Sequence, residues 1–121
     1  MDIHELADTL VDYCSEGKFE EAQRALYSDS ATSDEPSNSP GFKSVTGLQA
    51  IIDKGAQFRA MIEEVHSIEV SDPVIAGDYF SIALLIDVTL KGMGRVNMDE
   101  VAVYRVKDGK VVSEQFFYSP Q

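Results

Sequence analysis

The chain has 121 residues and a net charge of −11, from 21 acidic and 10 basic side chains. That length suits one domain with a hydrophobic core, spanning 1–121, and is too short for two. The acidity argues against nucleic acid and against anionic membrane surfaces as partners, because both would repel the chain, and it favours solubility.

The N-terminus, Met1-Asp2-Ile3-His4-Glu5, lacks the basic and apolar regions of a signal peptide, and the most apolar run, Ile82 to Ile86, is too short to span a bilayer. A cytoplasmic location is expected. The single cysteine, Cys14, permits no internal disulfide and reads as a small buried hydrophobe. His4 and His66 stand apart without metal-ligand spacing, so neither a metal nor a cofactor is expected.

Ile3, Leu6, Ala7, Leu10, Val11 and Cys14 recur at helical spacing, which predicts a helix from about 2 to 15, broken by Gly17. Phe19, Ala22, Ala25 and Leu26 predict a second, shorter helix ending near Tyr27. A short strand is expected near Ala31 to Asp34. Residues 36–44 are turn formers and predict a loop. Thr46 with Gln49 three residues on has the form of a capping box. Leu48, Ile51, Ile52, Phe58, Ile62 and Val65 then predict a long third helix.

The hydrophobic period changes after His66. Ser67 to Val74, Tyr79 to Leu90, Asn97 to Val106 and Val111 to Tyr118 predict four strands. Lys91-Gly92-Met93-Gly94 and Lys107-Asp108-Gly109-Lys110 read as turns, the second a hairpin with glycine supplying positive φ. Helices first and antiparallel strands after imply an α+β fold. Gly92-Met93-Gly94 lacks the third glycine of a dinucleotide site and falls between strands. No serine or cysteine occupies a nucleophile elbow.

The order of these parts, with Tyr27-x-x-x-Ala31-x-x-x-Glu35-Pro36 after the second helix and an Asp108-Gly109-Lys110-Val111 hairpin near the end, resembles the nuclear transport factor 2-like superfamily, in its SnoaL-like and ketosteroid-isomerase-like branch. The resemblance covers the whole chain. It implies a cystatin-like cone, in which a strongly bent antiparallel β-sheet wraps three N-terminal helices and encloses one pocket, and it implies a homodimer. In ketosteroid isomerases the base is an aspartate directly before a proline, eight residues after a tyrosine. Counting from Tyr27 gives Glu35 here, one methylene longer, as the candidate base.

The resemblance also locates what is missing. The family's oxyanion-hole tyrosine falls at Leu10 and its protonated acid at Ala102. Losing both donors costs several kcal/mol of barrier, which argues against steroid isomerisation. If Ala102 faces inward, strand alternation turns Glu100 and Tyr104 inward with it, as well as Glu114, Phe116 and Tyr118 on the last strand. On the long strand the inward set is Phe80, Ile82, Leu84, Ile86 and Val88. A largely apolar pocket lined by Leu10, Tyr27, Leu84, Ile86, Val88, Glu100, Ala102, Glu114 and Phe116 is expected, with Tyr104 and Tyr118 as candidate hydrogen-bond donors beside Glu35. The opposite face carries Asp87, Asp99, Val101, Val103, Arg105, Gln115 and Phe117, a mixture that suits a sheet-to-sheet dimer contact.

Three functions follow. The first is binding of a small apolar ligand without metal or cofactor. The second is acid-base catalysis by Glu35, as isomerase, dehydratase or cyclase, on a polyketide-like or cyclic carbonyl substrate. The third is a protein-interaction domain.

Overall fold

A computed structural model describes residues 1–39 and 41–119; Pro40, within the expected loop, and residues 120–121 lie outside the described residues. Helix α1 covers Ile3–Ser15 and α2 covers Phe19–Leu26. The Asp2 side chain caps α1 by accepting from the Glu5 amide at 2.9 Å. Each helix buries part of the apolar stripe that its spacing indicates, Leu6, Ala7, Leu10 and Cys14 from the first and Ala22 and Leu26 from the second, while Ile3, Val11 and Phe19 are half-buried and Ala25 is exposed.

Strand β1, Tyr27–Asp34, leads through the loop to a two-residue β2, Val45–Thr46, and then to helix α3, Leu48–Ala60. The remaining strands are β3 Ile62–Val70, β4 Val74–Ala76, β5 Tyr79–Leu90, β6 Gly94–Lys107 and β7 Lys110–Phe117. The sheet runs in the order β2-β1-β7-β6-β5-β3, with β4 paired to β5. The β5–β6 ladder keeps unbroken register from Tyr79↔Arg105 to Leu90↔Gly94. Asp108 and Gly109, at φ 52° and 74°, make the two-residue turn between β6 and β7. Positive φ at both positions is the primed turn whose twist matches a hairpin.

Four expectations need correction. The sheet is mixed rather than wholly antiparallel, because β1 runs parallel to β7. The third helix stops at Ala60, and Ile62 and Val65 belong to β3. The spacing of Phe58, Ile62 and Val65 fits a helix, and two register shifts in the β3–β5 pairing interrupt the alternation that would have marked a strand. No capping box forms: Gly47, at φ 101°, is the N-cap of α3 and no side chain caps it, while Thr46 pairs with Thr32 in the sheet. The strand expected from Ser67 to Val74 is two strands, β3 and β4, separated at Ser71–Pro73.

The helices pack on the inner face of the sheet. Leu6, Leu10, Tyr27, Ile51, Phe80, Ile82, Leu84, Ala102, Tyr104 and Val111 form the main core. A smaller cluster joins Ile86, Val88 and Leu90 with Phe58 and Ile62 at the other end of β5. Among the described residues, no helix is long and apolar enough to cross a membrane.

Candidate functional site

Pairing across the sheet places Phe80, Tyr104, Glu114 and Ser33 side by side on β5, β6, β7 and β1. The next row holds Ile82, Ala102 and Phe116. One further step sets Glu100, opposite Leu84, level with Tyr118 just past the end of β7. The inner face therefore passes from an aromatic floor, where Phe80 stacks on Tyr104 at 4.8 Å between ring centres, to a carboxylate-rich edge.

Glu114 is buried at the centre of this face. Its Oε1 accepts from the Tyr27 hydroxyl and its Oε2 accepts from Ser33 Oγ at 2.7 Å. Burial raises its pKa, and the hydrogen bonds from Ser33 and Tyr27 oppose that shift only in part. The Tyr27 and Tyr104 phenols are pushed well above their ordinary range, first by burial and then by neighbouring Glu114 for Tyr27 and Cys14 for Tyr104. They remain protonated donors in this interior.

Glu35 follows β1 directly. Of the two adjacent acids, Asp34 is exposed, while the Glu35 side chain is only 7% exposed. Its backbone is fixed where the Glu35 amide donates to Ser44 Oγ at 2.9 Å. Both carboxylate oxygens are held: Tyr118 donates its hydroxyl to Oε1 at 2.7 Å, and Lys54 Nζ donates to Oε2 at 2.7 Å. Lys54 also donates to Ser33 Oγ at 2.8 Å, and its ammonium stands 5.7 Å from the centre of the Phe116 ring. Tyr118 shares a 2.7 Å hydrogen bond with Ser39 Oγ, tying the loop after Pro36 to the end of β7. Burial pushes the Tyr118 phenol up to about 12, so it is a donor at neutral pH.

Glu100 completes the cluster. Burial, reinforced by the charges of Glu35 and Glu114, pushes its carboxyl up to about 8. At neutral pH this favours the protonated form of Glu100, and Lys54 Nζ is the cation paired with Glu35. An open depression of about 260 Å³ lies mainly on the outer face, lined by Leu85, Asp99, Val101 and Phe117, and reaches Glu100 and Tyr118, while Glu35 and Lys54 do not line it.

The sequence-indicated residues thus divide. Glu35, Tyr118, Glu100 and Phe116 converge on one edge of the inner face, and Glu114, deeper in the face, is linked to it through Ser33 and Lys54. Tyr104 belongs to the floor, beside Tyr27, and no hydrogen bond joins it to Glu35. Leu10, Tyr27, Leu84 and Ala102 are core side chains, and Ile86 and Val88 lie in the separate cluster. The surroundings of Glu35 are polar and charged rather than an apolar wall. Lys54 and Ser33 are the residues that sequence reasoning missed. Lys54 does leave a signal: it stands three residues after buried Ile51 and four before Phe58, a cation within an apolar stripe.

Residues 1–118 match the sequence profile of the SnoaL-like domain. A crystal structure of a candidate SnoaL-like polyketide cyclase from Mesorhizobium loti is similar at 34% identity, with TM-score 0.86, covering 98% of this chain and 100% of that one. A ketosteroid-isomerase-like protein from Catenulispora acidiphila, solved with trimethylamine, shares the fold at 20% identity and TM-score 0.75, over 95% of this chain and 85% of that one. A protein of cystatin-like fold from Xanthomonas campestris does so at 18% identity and TM-score 0.82, over 100% of this chain and 93% of that one. No curated protein matches the chain. A profile that spans nearly the whole sequence, and a relative matching end to end with the same fold, establish that this chain belongs to the SnoaL-like domain family.

Proposed function

We propose that this SnoaL-like domain binds a small carbonyl compound at the edge formed by Glu35, Lys54, Tyr118 and Glu100, and moves a proton on it with Glu35 as the base. The observation that carries this reading is the Glu35 carboxylate itself. It is withdrawn from water, fixed through its backbone to Ser44, and held by two donors on its two oxygens. A buried carboxylate held only for stability is a poor bargain against apolar packing, whereas a fixed carboxylate among titratable groups with shifted pKa values is a candidate base. Similarity to a candidate polyketide cyclase at 34% identity supports a carbonyl substrate.

The chemistry is one proton transfer. A substrate C–H adjacent to a carbonyl gives its proton to a Glu35 oxygen, and the C–H electron pair moves into the carbonyl system as an enolate. Tyr118, already aimed at Glu35, turns its O–H toward the substrate oxygen. The protonated Glu35 then returns the proton to another carbon, or to a leaving oxygen, which gives isomerisation, cyclisation or dehydration.

Glu35→Gln keeps the shape and removes the basic charge. Turnover of the substrate should fall at least about a hundredfold while binding is almost unchanged. Full turnover in that variant would leave ligand binding without Glu35 chemistry as the better description.

A further inference from the structure

Lys54 lies outside every expectation for this family's site, and its geometry gives it a role. Its ammonium donates to Glu35 Oε2 at 2.7 Å and to Ser33 Oγ at 2.8 Å, using two of its three N–H groups. Its side chain is 14% exposed, so the charge is shielded from water and its field is strong at short range. Ser33 is in turn anchored on buried Glu114, which fixes the lysine head from behind. The two oxyanion donors expected by resemblance are replaced by Leu10 and Ala102, which can donate nothing from their side chains.

We infer that Lys54 is the catalytic cation of the site: it pairs with the Glu35 carboxylate at rest and with the oxyanion of the substrate once Glu35 has taken the proton. This rests on the reading of Glu35 as base. The charge balance favours it. Proton transfer neutralises Glu35 and creates one negative charge on a substrate oxygen a few ångströms away. An ammonium that has just lost its carboxylate partner turns to that oxygen, so the site holds one close ion pair before and after the step. Without the lysine, the oxyanion would form in a buried, carboxylate-lined edge with the Tyr118 hydroxyl alone beside it. Because the same cation also stabilises the resting carboxylate, its benefit to the chemical step is the amount by which it favours the developing oxyanion over that carboxylate, and little of it is in substrate binding.

The test uses 5-nitrobenzisoxazole, a generic probe of this chemistry. A base removes its ring C–H proton, the C–H pair forms a nitrile, the N–O bond breaks, and the pair ends on a coloured phenolate oxygen. Wild type, Lys54→Met, Lys54→Gln, Lys54→Arg and Glu35→Gln are compared, each checked for folding by thermal melting. The expected result is a loss in kcat of about a hundredfold or more for both Lys54→Met and Lys54→Gln, with KM little changed, because an oxyanion donor is removed. Lys54→Arg, which keeps the charge, recovers most of the rate. A folded Lys54→Met with wild-type kcat, while Glu35→Gln is dead, overturns the role of Lys54 and leaves Glu35 standing. A Glu35→Gln that retains the rate, or a wild type no faster than free acetate, overturns both. Full activity in Lys54→Gln also overturns the inference, since a neutral donor would then suffice.

Discussion

Ser33 on β1 and Glu114 on β7 stand opposite each other in a parallel strand pair, and Ser33 Oγ donates to Glu114 Oε2 at 2.7 Å. That single bond couples the core to the candidate site. On its inner side Glu114 accepts from Tyr27, the first residue of β1. On its outer side Ser33 accepts from Lys54, which holds Glu35. Polar groups this deep are tolerated because each finds a partner, and the loss of one exposes the others.

Tyr27→Phe is the direct check of that coupling. It removes one hydroxyl, keeps the ring in the core, and leaves Glu114 with one donor fewer. A loss of about 1–3 kcal/mol in unfolding free energy is expected, the cost of an unsatisfied buried acceptor. Glu114→Gln should cost less, since an amide of the same shape can still accept from Tyr27. Urea denaturation at pH 7 measures both. A Tyr27→Phe midpoint equal to wild type would mean that Glu114 finds another donor.

The pH dependence of stability should carry the signature of Glu100. Its folded pKa, about 8, lies above the ordinary 4.5 of an unfolded glutamate. Between these values the folded protein keeps a proton that the unfolded chain has released. The stabilising contribution is complete below about 4.5 and is lost as pH rises toward about 8. Glu114, raised by burial, acts in the same direction. Urea midpoints should therefore fall from pH 5 to pH 8, and Glu100→Gln should flatten that slope. An unchanged slope in the variant would show that Glu100 is ionised throughout.

Much of this architecture was legible in the sequence, and the failures have physical causes. Helices α1 and α2 and strand β5 were clear because one face of each is buried and the other wet, so the period survives in the residues. The parallel pairing of β1 was hidden, since pairing direction is set by the path of the chain and Tyr27-Ser28-Asp29-Ser30 has little strand character of its own. The end of α3 was misjudged because Ile62 and Val65 continue its spacing into a strand whose bulges break the alternation. At the site, the position of Glu35 before Pro36 pointed to the acid. A cation within the apolar stripe of α3 was the one local hint of its partner, and nothing local tied it to Glu35, because Lys54 meets Glu35 only through the packing of α3 against β1. Tyr104 and Tyr118 share one face by alternation, yet alternation is silent on depth, and the two ended at opposite ends of the polar network.

The outer face of the sheet supports a last prediction. Val101 and Phe117 are register partners on β6 and β7, and both are exposed, at 44% and 49%. Leu85 and Tyr79 extend the apolar surface along β5, and the Arg105 guanidinium lies 5.9 Å from the centre of the Tyr79 ring. A patch at the centre of a sheet, rimmed by charge, is what a two-fold contact between copies covers, because a self-complementary surface needs no second partner. A dimer through this face is expected at micromolar concentration, measured by light scattering. Val101→Glu would bury two carboxylates at such a contact, one from each copy, and should shift the protein to monomer while the thermal melt stays that of a folded domain. A monomer mass for the wild type would remove the dimer. A dimer mass unchanged by Val101→Glu would place the contact elsewhere on the surface.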